Sequence, residues 1–255
     1  MTHQLILTAL PSIPLVKPGN DLVAILLDSL QEAKIKLQND DVLVIAQKII
    51  SKAEGRLVKI STVIPSARAI EIAYQVGKDP RQVEVILSES KEIVGMRPGV
   101  LVVEHRLGFV CANAGVDRSN VEAVGGEEYL LLLPENPDRT CAELREKLQA
   151  KTGATIGIII NDSHGRAWRH GATGVAIGVS GFPALLDLRG RPDLFNYLLN
   201  ITQVGLADEL AAAASLLMGQ ADEGRPVIHA RGVPYPFREG TVRELIREKE
   251  LDMFR

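Results

Sequence analysis

Two aliphatic runs constrain the fold of this chain more than anything else in it: Val42-Leu-Val-Ile-Ala46 and Thr155-Ile-Gly-Ile-Ile-Ile160. A strand with one wet face alternates apolar and polar residues, whereas one buried on both faces is apolar throughout. The first run fits a strand covered on both faces, and the second is the strongest strand in the chain. The second ends in Asn161-Asp-Ser-His-Gly165, which is expected to be a loop, and the first is followed by Gln47-Lys48.

Other elements follow from punctuation and period. A strand is expected over 5–8, a helix over 21–37 capped by Asn20 or Asp21, and helices over 66–76 and 81–94. A hairpin is expected from 101–105 and 109–113, an exposed helix over 138–150, and an Ala-rich helix over 202–218 stopped by Gly219. Residues 226–230 suit a strand, 241–249 a terminal helix, and 171–182 a Gly-rich apolar loop. Helices and strands mix without strict alternation, so the fold class is α/β of mixed α+β type, neither P-loop nor Rossmann. One domain over 1–255 is expected, with a candidate subdomain break near 127–138, beside Gly125-Gly126 and Pro134…Pro137.

Composition narrows the function classes. At 255 residues, 46% apolar but 4% aromatic, with a net charge of −3, the chain has an aliphatic core. It lacks the positive charge and stacking surface of a nucleic-acid binder. Cys111 and Cys141 are too few for a disulfide scaffold. No apolar run is long enough for a transmembrane helix, and Met-Thr-His-Gln-Leu-Ile-Leu lacks signal-peptide character, so a cytoplasmic protein with no membrane partner is expected.

The common signatures of nucleotide, zinc and serine-nucleophile chemistry are missing, so any chemistry here is of the hard-oxygen kind. Two strand-end segments carry suitable groups, Asn113-Ala-Gly-Val-Asp117-Arg-Ser-Asn120 and Asn161-Asp-Ser-His-Gly-Arg166-Ala-Trp-Arg169. Mg²⁺ and Mn²⁺ bind through one or two carboxylates with substrate phosphates completing the shell. The plainer reading of Asp117 and Asp162 is an Asx turn, and two similar segments bring the readings level. Arg166 and Arg169 suit clamping of phosphate or carboxylate, against a plain Asp162–Arg166 salt bridge. Lys52 is placed to reach a phosphate, against a solvated lysine, and Trp168 suits a core edge.

Taken in order, Ile13-Pro-Leu-Val16, Ile50-Ser-Lys-Ala-Glu-Gly55, Asn113–Asn120, Asp162-Ser-His-Gly-Arg166, Leu216-Leu-Met-Gly-Gln220 and Pro226–Gly232 resemble the coenzyme F420-0:γ-glutamyl ligase family over nearly the whole chain. The resemblance implies a GTP-dependent, GDP-forming amide ligase that joins L-glutamate to the lactyl carboxylate of a deazaflavin precursor through an acyl phosphate. Extension of a poly-γ-glutamate tail is a further expectation. It implies two Mg²⁺ or Mn²⁺ ions, with K⁺ as an additional cation, and a homodimer. Asp117, Asp162, Ser163 and Gln220 match metal ligands. Ile13, Pro14, Leu15, Val16, Gln47, Lys48, Lys52, Asn120 and the stretch Met218, Gly219, Gln220, Ala221, Asp222, Glu223, Gly224, Arg225 match positions around GTP.

Lys52, Arg166 and Arg169 are the catalytic candidates, from their placement beside these motifs. Gln47-Lys48 stands where some relatives carry small hydroxyl residues, and Ser163 where some carry Thr. The reductase domain fused to some relatives is not expected at this length. Alternatives are a ligase for another carboxylate, a metal-dependent phosphoesterase or nucleotide hydrolase, and a non-catalytic nucleotide-binding protein.

Overall fold

The computed structural model describes residues 3–122 and 126–253, so Met1, Thr2 and Gly125 fall outside the described residues. In chain order the first half contains β1 (Ile6–Ala9), α1 (Leu22–Glu32), β2 (Val42–Ala46), α2 (Gln47–Ala53), β3 (Leu57–Lys59), α3 (Ala67–Val76) and α4 (Pro80–Ser88). There follow β4 (Ser90–Arg97), β5 (Val100–His105), β6 (Val110–Ala112), β7 (Tyr129–Leu131) and α5 (Pro137–Thr152). The last part holds β8 (Gly157–Arg166), β9 (Arg169–Ser180), β10 (Leu186–Asp187), β11 (Gln203–Val204), α6 (Leu206–Met218) and β12 (Val227–Arg231).

The main sheet runs β1-β12-β2-β8-β9, with only β2 and β8 parallel. Its central strand explains the opening run: Leu43 and Ile45 join one core with α1 and α5, while Val42 and Val44 join a second with α6. All four are completely buried, each burial contributing about 1.5–3 kcal/mol. A third core gathers α3 and α4 against β5 and β7, with Leu101, Val103 and Leu130 fully enclosed. This mixed architecture is the one the sequence implied.

Several boundaries moved. α1 stops at Glu32 because Lys34 takes a left-handed conformation (φ +54°) and Ile35 N–H closes back on the Leu30 carbonyl; Leu37 reaches the core from the following segment. The helix expected over 81–94 ends at Ser88, and β4 pairs with β5 instead, long-range pairing overriding local propensity. The expected terminal helix is two short 3₁₀ turns, Val242–Leu245 and Lys249–Leu251.

The largest correction concerns residues 161–182. Neither Asn161–Gly165 nor 171–180 is a loop: β8 continues through Arg166 and pairs with β9 in a long hairpin, its register shifting between Ile160 and Asn161. Polarity begins where β8 leaves the core, not where it ends. Gly174 is required because a Cβ there would strike Asn161 Oδ1 and Ser215 Oγ, 2.6 and 2.8 Å away, so the strand lies hard against α6. Trp168 sits in the hairpin turn at φ +63° and is 88% exposed, not at a core edge.

Candidate active site

Three segments distant in sequence close on one another beside α2. Ser163, on the polar extension of β8, donates its hydroxyl to Gln220 Oε1 at 2.8 Å. Asn120 donates Nδ2 to the Ala221 carbonyl at 3.4 Å. Gln220 and Ala221 are adjacent, so these two bonds tie the 117–120 and 219–225 segments to the hairpin.

The 219–225 turn is fixed from within. α6 ends at Gly219, whose φ of +74° suits glycine, and Glu223 folds back to accept from Ala221 N–H at 2.9 Å. A side chain at 219 would collide with the Glu223 carboxylate. Met218 lies in the core beneath the turn.

Asp117 anchors the opposite wall. Its backbone bridges to Leu131, its Oδ1 accepts Ser119 N–H at 2.8 Å, and its Oδ2 lies 2.7 Å from Lys48 Nζ. Burial alone would raise the Asp117 carboxyl; Lys48 and Ser119 outweigh it and hold it below the ordinary range. The Asx turn and the charged site are therefore both present. Lys52, one helical turn beyond Lys48, is lowered by burial first and then by the Lys48 ammonium, with Glu122 opposing. A half-buried lysine beside a second ammonium is suited to an anion.

Asp162 meets His164 Nε2 at 2.9 Å, so the Asp162–Arg166 bridge is not formed; Arg166 reaches the His170 carbonyl at 3.4 Å instead. Arg166 and Arg169 both lie at the exposed hairpin tip. Asp162 faces the thiol of Cys111, which burial and then this carboxylate push up to about 12. Gln47 is buried and accepts from Ser51 Oγ at 2.9 Å within α2. In the 13–16 loop, Ile13 and Val16 pack into the first core while Pro14 and Leu15 face solvent, and Gly19 N–H ties the loop's end to the Ala53 carbonyl at 2.9 Å. Among the described residues no hydrogen bond or ion pair joins this loop, Arg166 or Arg169 to the Ser163–Gln220 junction.

The donor set suits a hard divalent ion. Asp117, Asp162, Ser163 and Gln220 offer only oxygen, and the Ser163–Gln220 bond already holds two of these oxygens together. Among the described residues no group of three or more His, Cys, Asp or Glu side chains converges on a metal position. His164 and Ser119, which hold Asp162 and Asp117, lie inside the motifs but carry no signal of their own in the sequence.

Comparison with known proteins agrees with the motifs. The family model described as F420-0:Gamma-glutamyl ligase matches residues 11–232. Coenzyme F420:L-glutamate ligase of Methanococcus maripaludis (strain C6) is 48% identical over 223 residues, covering 88% of each chain. The protein of that name from Methanothermobacter thermautotrophicus is 44% identical over 251 residues, 98% of each chain. That from Archaeoglobus fulgidus is 41% identical over 243 residues, 95% of this chain and 93% of the relative. The chain belongs to the F420-0:gamma-glutamyl ligase family.

Proposed function

We propose that this protein is a coenzyme F420-0:L-glutamate ligase, GDP-forming and dependent on GTP and on Mg²⁺ or Mn²⁺. The observation that carries this reading is the closure of the 117–120, 162–163 and 219–225 segments through Ser163–Gln220 and Asn120–Ala221, which gathers oxygen donors beside two lysines.

A carboxylate resists attack by an amine because oxide is too poor a leaving group. Transfer of the γ-phosphoryl of GTP to a carboxylate oxygen gives an acyl phosphate. The neutral amine of glutamate then forms the C–N bond, the C–O bond to phosphate breaks, and the remaining ammonium proton leaves to phosphate or solvent. In such transfers the protein mainly positions groups and neutralises charge. Divalent ions, held by Asp117, Asp162, Ser163 and Gln220, supply positive charge beside the phosphates.

Lys52 holds transferred phosphate charge, and Lys48 can swing from Asp117 toward the nucleotide. Asn120 and the 218–225 turn line the nucleotide, with Pro14 and Leu15 supplying exposed groups from the 13–16 loop. Arg166 and Arg169, exposed at the hairpin tip, would meet a carboxylate on a larger substrate. Tail extension by further γ-linked glutamates would repeat the same chemistry on the product, with K⁺ as an auxiliary cation.

A homodimer is supported by an unusually apolar surface excursion: Leu194, Phe195 and Ile201 are 97%, 89% and 87% exposed. No helix among the described residues is long and apolar enough to cross a membrane, which accords with a cytoplasmic enzyme.

The test is GDP release followed by chromatography with and without glutamate and the deazaflavin acceptor. The ligase reading expects release that requires both. Release indifferent to both would make the protein a nucleotide hydrolase.

A further inference from the structure

A second chemical environment adjoins the site. Between the β6 edge, β9, the start of α6 and the C-terminal turns lies a cavity of about 220 Å³. It is smaller than the roughly 300–1,000 Å³ occupied by drug-sized ligands, so a tricyclic chromophore with its tail does not fit and a single amino acid does. Phe109, Val175, Ile177 and Leu245 give it an apolar wall suited to a short methylene stem.

Its charged groups are of opposite sign. Asp208, in the first turn of α6, has Oδ1 fixed by the Ala176 N–H at 2.9 Å, which directs the carboxylate at the cavity without using Oδ2. Arg247 lines the same cavity and has no carboxylate partner among the described residues. The other acid of the lining, Asp252, has an interaction of its own. An ammonium receptor and a free guanidinium, separated by an apolar wall, are the complement of a zwitterion.

The cavity is also connected to the ligase site. His164 forms part of its wall, and the same ring meets Asp162 through Nε2. Phe109 lies against His164 with ring centroids 5.5 Å apart, which fixes the imidazole from the other side. A molecule in the cavity therefore sits one side chain away from Asp162. Another cavity, about 500 Å³ between α1, α2 and α5, shares no residue with the oxygen-donor set.

We infer that this cavity is the binding site of the incoming amino acid, with Asp208 receiving its ammonium and Arg247 a carboxylate. The inference rests on the ligase reading and adds where the second substrate binds and what selects it. An amine held by Asp208 lies next to His164, on the face of β8 that carries Asp162. Amines without a carboxylate would leave Arg247 unpaired.

Asp208→Asn keeps the oxygen that accepts from Ala176 and loses the charge; Arg247→Met alters an exposed side chain. Both should fold. Each is expected to raise the KM for L-glutamate at least tenfold while the KM for GTP stays within twofold, and Arg247→Lys should recover part of the loss. Binding of L-glutamate, followed by saturation-transfer NMR with GDP and Mn²⁺ present, should be seen in the native protein and lost in both variants. A glutamate KM within twofold of the native value in both variants, or a fall in kcat and melting temperature without that KM change, would overturn the assignment. A native protein that binds glutamate through these residues yet forms no conjugate would retain the cavity's role and remove the ligase reading. Conjugate formed with an unchanged glutamate KM in both variants would do the reverse.

Discussion

Replacing Lys48 with Gln should tighten the binding of Mn²⁺. Lys48 Nζ lies 2.7 Å from Asp117 Oδ2, 3.2 Å from the Ser119 carbonyl and 2.5 Å from Ser119 Oγ. It holds the carboxylate that a metal would need, so an ion must displace it. The side chains of the pair are 26% and 40% exposed, which limits the interaction to at most about 1 kcal/mol. With 1.4 kcal/mol per tenfold, relieving that competition lowers the ion's dissociation constant by about twofold to fivefold at low salt. The gain should shrink as salt screens the pair. Titration of free Mn²⁺ by electron paramagnetic resonance, on protein without substrates, measures it, and melting curves check that the variant folds. Lys48→Arg retains the charge and should bind like the native protein. Unchanged or weaker Mn²⁺ binding in Lys48→Gln would refute the idea that Lys48 competes for Asp117.

Three other outcomes follow from the geometry. Glu89 ties β4 to the rest of the fold: burial would raise its carboxyl, but His105, Arg106 and Arg56 hold it at about 2 from 4.5, the arginines at 2.9 and 2.8 Å. Because the folded value is depressed, the stabilisation is present above pH 4.5 and lost as pH falls toward 2, on the order of 3 kcal/mol in all. Melting temperature against pH should fall more shallowly over that window in Glu89→Gln; an identical slope would contradict the clamp. Gly219→Ala places a Cβ against Glu223 at φ +74°, a strain of roughly 1–2 kcal/mol, and should weaken fluorescent GDP binding. Native affinity in that variant would show that the turn does not need glycine. Cys111 and Cys141 are buried and their thiols raised, so neither should react with a thiol reagent at pH 8 until the protein unfolds. Rapid stoichiometric labelling of the native protein would contradict their burial.

The central strands were legible because burial on two faces writes itself directly into sequence: Val42–Ile45 admits no polar residue. The caps were legible for a similar reason, since Asp21, Ser66 and Asp79 each accept from the first turn of the helix that follows. The hairpin was not. Beyond Ile160 the strand β8 projects out of the core, so its residues are as polar as those of a loop, and only its pairing with β9 reveals it. The 241–249 segment misled in the other direction: its charges suit a helix, but Val242, Leu245 and Ile246 turn inward over a cavity. Of the motif residues, Ser163 bonds to Gln220 and Asn120 to Ala221. Which partners the charged groups take was beyond local sequence, because Lys48 and Asp117 stand far apart along the chain, as do Asp208 and Ala176.

Mass spectrometry of the deazaflavin precursor, incubated with this protein, GTP, Mn²⁺ and L-glutamate, tests the proposed activity most directly. The account predicts glutamate adducts of the precursor that vanish when GTP or glutamate is omitted. A precursor recovered unchanged from a preparation that binds both nucleotide and glutamate would contradict it.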